Sequence, residues 1–392
     1  MPPATRIHAI DIFRGLTILT MVWVNDLFFI GDIPAWMKHM PTEVDGMTFV
    51  DVVFPAFLFI VGMSIHFAAA ARGESGTGSL RFWQHVGIRT LGLLVIGVFM
   101  VNSEEMNPDL MRVPRALWDG LLYLAVVLLW NQYPRDADPT RQRLFTGLRL
   151  LGILLLLMLA MLYRKGSPEA PSGMTPSWWG ILGLIGWAYL YATLVYMLAR
   201  QNPTALVAAL ALCIGLVLGL KSPTLPLPAW LGWLRGQAGH LAHTALVLAG
   251  TIAALGVRDR QGRAAIGYLL LLAVLLAIGG FALRPFFGIS KNLATPAWVL
   301  YCAAICSALF AGVYWLTDLR SWQRWAAWLQ PAGRNPLLTY ILPPAFYGIV
   351  GSSYLPAAWE QGVPGILRAV VFTALVLLVS GLLTQRGVRL HL

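Results

Sequence analysis

The stretch RIHAIDIFRGLTILTMVWVNDLFFIGDIPAWMKHMPTEVDGMTFVDVVFPAFLFIVGMS, residues 6–64, decides how the rest of the chain is read. Two apolar runs, each long enough to cross a bilayer, flank a short polar link. Arg14 opens the first run and Asn25 and Asp26 lie towards its far end. His39 sits in the link and Asp51 opens the second run. Polar and ionisable groups at hydrocarbon depth are costly, which makes them functional candidates. The hairpin 6–64 is therefore expected to carry the chemistry, within a single integral membrane domain covering 1–392.

Working outward, the same apolar pattern recurs to the end of the chain. Of the 392 residues, 58% are hydrophobic and 11% are charged, well below the roughly 25% charged residues of soluble domains. Twelve spans are expected: 8–30, 48–71, 84–102, 115–131, 144–163, 178–199, 204–220, 239–257, 264–283, 296–316, 335–350 and 364–384, with ten or eleven as the alternative. The fold class is an all-α polytopic membrane protein. The spans 204–220 and 335–350 are short, and the second contains Pro343 and Pro344, a pattern that suits cavity-lining backbone. The first run ends in polar residues rather than a small-residue cleavage site, so it reads as a retained helix.

The net charge of +11 is dispersed through short loops, as the positive-inside rule produces, so nucleic acid is not an expected partner. Alternate segments hold 18 and 10 of the 28 Lys and Arg residues. This assigns both termini to the cytoplasm and His39 to the opposite face of a bacterial inner membrane. Tryptophans at span edges, including Trp36, Trp178, Trp179, Trp230 and Trp233, read first as an interfacial belt and second as a sugar-stacking surface. The three cysteines fall inside apolar runs without metal-ligand spacing, so no metal is expected.

His39 is the histidine best placed for proton transfer, because Glu43 and Asp45 follow it in the same link. A histidine in a loop is also commonly an ordinary surface residue. Asp51 has a second explanation as a helix-capping carboxylate. Asn25 and Asp26 have no such alternative, and Asp119 is a further polar group inside a span. His240 and His243 share a helix face, but no carboxylate nearby in sequence supports a metal site. Two polar basic segments complete the candidates: RPFFGISKNLATP, with Arg284, Lys291 and Asn292, and AGRNPLLTY, with Arg334 and Asn335. No Walker loop, GxGxxG or GxSxG motif is present.

At these residues the chain resembles the heparan-α-glucosaminide N-acetyltransferase family, and within it the bacterial NagX-like members. The resemblance rests on RxxxIDxFRGLTIxxMxxVN (with Arg6 as its first residue), the link histidine, and DxVFPxFLFIVGxS. It extends to PSWWGILGLIGWAYL, KNLATPAWVL and GRNPLLTY. It implies a transmembrane acyltransferase that moves an acetyl group from cytosolic acetyl-CoA to the amine of a glucosamine-type sugar. Carried over by position, His39 is the catalytic base, Asn25 an oxyanion donor and Asp51 the group that orients the imidazole. Arg14, Arg334 and Asn335 are the expected acetyl-CoA contacts. Asp26, Glu43, Asp45, Lys291 and Asn292 are the expected sugar contacts. Two departures stand out: the link HMPTEVDG is longer than in lysosomal members, and the apolar pair near 178–220 is additional. Amino sugar and membrane lipid are the expected partners, with a homodimer left open. An amino-sugar transporter using the same pocket without covalent chemistry is the alternative, and a scaffolding protein indifferent to His39 is the third reading.

Overall fold

The computed structural model describes residues 7–72, 78–134, 138–222, 227–351 and 356–392. Arg6 and Arg135, used in the motif and the charge count, lie outside the described residues. The chain is an all-α polytopic membrane protein. Its helices are α1 His8–Leu27, α2 Val50–Ala71, α3 Leu80–Glu105, α4 Arg115–Trp130, α5 Pro139–Leu162, α6 Ile181–Leu198 and α7 Pro203–Lys221. They continue with α8 Ala238–Asp259, α9 Arg263–Phe287, α10 Pro296–Tyr314, the one-turn α11 Gln330–Arg334, α12 Pro336–Val350 and α13 Gly362–Gln385.

Every expected span is a helix. Among the described residues, nine helices are by themselves long and apolar enough to cross a membrane. The exceptions have physical causes. Helices α4 and α12 have 16 and 15 residues, short against the roughly 20 needed for a perpendicular crossing. Helix α1 carries Asp11, Arg14 and Asp26 among its 20 residues.

The chain forms two compact units. Unit 1 comprises Met1–Val24, Pro34–Thr90 and Leu184–Gln330; unit 2 comprises Asn25–Ile33, Leu91–Gly183 and Pro331–Leu392. The division falls within α1, so the stretch that opened the reading contributes to both.

Helix α8 is the axis of unit 1. Every residue from Ala242 to Val257 is buried, as expected of a helix apolar all round and enclosed by others. It packs against α2, α7, α9 and α10. The contact with α2 is set by two glycines. A Cβ on Gly62 would lie 1.8 Å from the Val247 carbonyl oxygen, and one on Gly250 would lie 1.9 Å from that of Phe59. Small residues permit such backbone approach where lipid offers no hydrophobic drive for association. Thr251 Oγ1 fastens the crossing, 3.1 Å from the Gly62 carbonyl. At the far end of α10, Asp318 accepts from the backbone N–H groups of His8 and Ala9, at 2.9 and 2.8 Å, satisfying orphan donors of α1.

In unit 2, α4 packs against α5 and α12. Trp118, fully buried, donates from its indole to the Leu159 carbonyl at 3.1 Å. A short antiparallel hairpin pairs Lys165–Ser167 with Ala170–Ser172. Asn335 is buried, and its amide donates to Thr384 Oγ1 and the Val388 carbonyl, both at 2.9 Å. It also accepts from Leu390 N at 3.2 Å, so this amide holds down the C-terminal segment.

Candidate functional site

The site in unit 1 is built where two connections meet: the α1–α2 link and the α9–α10 link. Asp45 brings them together. Its carboxylate accepts from Ile289 N at 2.7 Å and from Arg284 Nε at 3.0 Å. The Ile289 N–H, and then the Arg284 guanidinium, hold the Asp45 carboxyl below its ordinary pKa. Gly288 makes room at the turn: its φ is +64°, and a Cβ there would lie 3.3 Å from Asp45 Oδ1. Asn292 Nδ2 donates to Thr42 Oγ1 at 2.8 Å, a second tie between the links. Glu43 is exposed.

Asp51 lies in the first turn of α2 and is 1% exposed. Its two oxygens divide the work. Oδ2 accepts from Thr48 N at 2.9 Å and Met40 N at 3.1 Å, which fixes the end of the link in the manner of a reach-back cap. Oδ1 lies 2.7 Å from His39 Nδ1. The capping explanation and the imidazole-orienting explanation thus describe two halves of one carboxylate.

That carboxylate faces the ring because its backbone is anchored from a third side. Pro55 has no N–H, so the helical donor to the Asp51 carbonyl four residues earlier is missing. Trp298 Nε1 supplies the donor instead, at 3.2 Å, and Cys302 Sγ stands 3.8 Å away. Trp298 is fully buried at the start of α10, edge-on to His243 with ring centroids 6.1 Å apart. Phe54 packs on the same imidazole with centroids 5.4 Å apart. Sequence reasoning singled out the aspartate and not the consequence of the proline. The D-x-x-x-P spacing was the available sign that a partner from elsewhere must serve the freed carbonyl.

With Nδ1 directed at Asp51, the hydrogen-bond geometry assigns that nitrogen the proton and leaves Nε2 as the acceptor. The His39 side chain is 33% exposed. Lys291 Nζ lies 3.0 Å from Nε2 and 3.2 Å from Nδ1. Loss of hydration lowers the Lys291 pKa, while the nearby Asp51 charge acts the other way. A turn of fixed geometry presents this lysine: Thr295 N donates to the Ser290 carbonyl at 3.1 Å and Ala294 N to the Lys291 carbonyl at 2.9 Å. The structure therefore brings together His39, Asp51 and Lys291, with Asp45 and Asn292 tying the loops that carry them. A carboxylate thus pairs with Nδ1 of the imidazole, and an amine lies close to both ring nitrogens, over the face of the ring.

The other expected residues lie elsewhere. Arg14 donates from Nη2 to Ser64 Oγ at 2.8 Å within unit 1. His240 and His243 have no third metal-holding group beside them among the described residues. In unit 2, Asn25 is exposed while Asp26 is 2% exposed. Arg368 Nη2 lies 3.3 Å from Asp26 Oδ2, and Tyr347 donates to Asp26 Oδ1. Arg368, which falls within the expected span 364–384, is a buried member of α13. A lone arginine in an apolar span was the signal that Asp26 had a partner. Asp119 accepts from Ser103 Oγ at 2.5 Å and Arg115 Nε at 3.4 Å. Arg334 is exposed at the end of α11.

A family model described as Domain of unknown function (DUF5009) matches residues 6–235, more than half of the chain. The chain is also 32% identical over 140 residues to a heparan-alpha-glucosaminide N-acetyltransferase of Mus musculus. It is 31% identical over 134 residues to the protein of that name from Homo sapiens. Each match covers 33% of this chain, and 21% and 19% of the respective relatives. The matched region thus spans about a fifth of the length of those relatives.

Proposed function

This chain belongs to the DUF5009 family, and from that premise we propose that it is a membrane acyltransferase with an amine acceptor. The observation that carries the proposal is the Asp51–His39 pair, 2.7 Å apart, which leaves Nε2 as the accepting nitrogen of the ring. The names of the two relatives, which describe an N-acetyltransferase of a glucosaminide, point the same way and suggest acetyl-CoA as donor and an amino sugar as acceptor.

In this reading the acceptor amine attacks the thioester carbonyl while His39 Nε2 takes its proton. The new C–N bond forms, the C–S bond breaks, and the imidazolium returns the proton to the leaving thiolate. Asp51 holds the ring in the required tautomer and stabilises the imidazolium between the two transfers. Arg14 keeps the proposed role of a contact to CoA phosphates. Asn335, whose amide already serves Thr384, Val388 and Leu390, supports its own segment. The charge count supports a proposed topology with His39 on the outer face of a bacterial inner membrane and both termini in the cytoplasm.

The test is purified protein in detergent with labelled acetyl-CoA and glucosamine. Wild type yields N-acetylated sugar. His39→Ala abolishes it, and Asp51→Asn, which disturbs the tautomer, lowers kcat by roughly 10²-fold or more. Transfer undiminished in His39→Ala, or sugar passage through proteoliposomes with no acetylated product, overturns the reading.

A further inference from the structure

In the acyl transfer proposed above, on which this inference rests, the tetrahedral intermediate carries a negative charge on the former thioester oxygen. His39 and Asp51 handle the proton and offer that oxygen nothing: Nδ1 is committed to Asp51, and Nε2 accepts from the attacking amine. A donor for the oxygen must come from elsewhere. Lys291 Nζ lies 3.0 Å from Nε2 and 3.2 Å from Nδ1 of His39. Near-equal distances to both nitrogens put it over the ring face, whereas the imidazole lone pair lies in the ring plane. Its N–H donors are therefore not committed to the imidazole. Among the described residues no carboxylate or carbonyl takes them up, since the Asp51 oxygens serve His39, Thr48 and Met40.

Such a cation is costly to hold. Loss of hydration is the main influence on the Lys291 ammonium, and the Asp51 charge opposes it. The turn at 290–295 nevertheless keeps it beside the base. The distances fit a role there. An amine giving its proton to Nε2 sits in the ring plane, about 2.6–3.2 Å from that nitrogen. With Nζ out of the plane at 3.0 Å from the same nitrogen, amine and ammonium stand roughly 4 Å apart. In the intermediate the oxygen is two bonds from the amine nitrogen, so rotation about the new C–N bond brings it within hydrogen-bond range of Nζ.

We infer that Lys291 is the oxyanion-stabilising residue of this site, a catalytic residue that donates to the thioester oxygen as negative charge builds on it. The amine nitrogen bonds to the acyl carbon, and the C=O π pair moves onto the oxygen, where the ammonium holds it. The pair then returns, the C–S bond breaks, and the proton taken by His39 passes to the thiolate. Lys291 keeps its own proton throughout. The ground-state carbonyl oxygen carries little charge, so Lys291 acts on kcat and hardly on binding. A sugar contact would act through KM instead.

The test uses full-length protein in detergent with labelled acetyl-CoA and glucosamine. Lys291→Met keeps the stem and removes the charge. It is expected to lower kcat about 10²- to 10³-fold, the loss that follows removal of an oxyanion donor, with KM for glucosamine within about twofold of wild type. Acetyl-CoA hydrolysis without acceptor passes through an oxyanion on the same oxygen and falls by a similar factor. Lys291→Cys supplies a readout that a packing role would not move. Alkylation with 2-bromoethylamine rebuilds an ammonium on a stem of nearly the same length and restores most of kcat, whereas methyl methanethiosulfonate, which adds a neutral group, restores none. The three native cysteines are buried, and wild type treated in the same way is the control. Unchanged kcat in Lys291→Met, a raised KM at unchanged kcat, or no recovery in Lys291→Cys shown by mass to be fully aminoethylated overturns the inference and leaves the acyltransferase reading standing. If wild type acetylates no amine, that reading itself fails and the inference falls with it.

Discussion

Replacing Trp298 with phenylalanine tests how the Asp51 backbone is held. The indole N–H is the donor that Pro55 denies to the Asp51 carbonyl. Its removal takes away the stronger of the two side-chain donors to this carbonyl, leaving the weak thiol of Cys302 at 3.8 Å. An unsatisfied buried acceptor costs roughly 1–3 kcal/mol. The smaller ring leaves a gap beside His243 worth about 1 kcal/mol more. A total of about 2–4 kcal/mol is expected. At roughly 2–4 °C per kcal/mol for a domain of a couple of hundred residues, the loss is easily measured. The three cysteines are all buried, so a thiol-reactive fluorophore reports unfolding in mild detergent directly. The diagnostic is a double-mutant cycle with Pro55→Ala. Alanine restores a helical N–H four residues after Asp51, so Trp298→Phe in that background loses only its packing contribution. A coupling of about 1–2 kcal/mol follows. If Trp298→Phe lowers the melting temperature equally in both backgrounds, the proline does not create the demand that the tryptophan meets, and the reasoning is refuted.

Two further outcomes follow from the same unit. The Asp45 pKa is depressed, so its tie between the links is complete above the ordinary carboxyl value of 3.8 and is lost as pH falls through the lower folded value. Hydrogen exchange across residues 288–295 should accelerate only below about pH 4, whereas Asp45→Asn should show the faster exchange already at neutral pH; equal protection in that variant removes Asp45 from this role. Gly250→Ala places a Cβ 1.9 Å from the Phe59 carbonyl oxygen. Backbone cannot yield as a side chain does, so a loss of roughly 3 kcal/mol or more is expected in the same fluorophore assay, and wild-type melting would contradict the described α2–α8 crossing.

Much of the fold was written in hydrophobicity. Every span inferred from the apolar runs is a helix, because a bilayer leaves backbone N–H and C=O groups only intrahelical partners, and that requirement is local in sequence. Helix starts were also legible to within a residue or so where Pro marks them, as at Pro203 and Pro296. Which helices meet was not legible, since runs of Leu, Val and Ala carry little identity. The partner of Asp26 shows the limit: Arg368 lies 342 positions away, and only packing pairs them.

In the opening stretch, residues alone determined that His39 and Asp51 flank the start of a transmembrane helix, and that a histidine beside carboxylates suits proton transfer. They left open which acid the imidazole uses. The tertiary structure decided that. Asp45 turns to Arg284 and Ile289, and Asp51 turns to His39. The cause is geometric: Pro55 frees a carbonyl, Trp298 seizes it from the start of α10, and the preceding link brings Lys291 over the imidazole. Chemical type is a property of single residues and survives in sequence. The pairing of a proton donor with its acceptor depends on directions and distances of a few ångströms, which arise only when helices from distant parts of the chain are packed together.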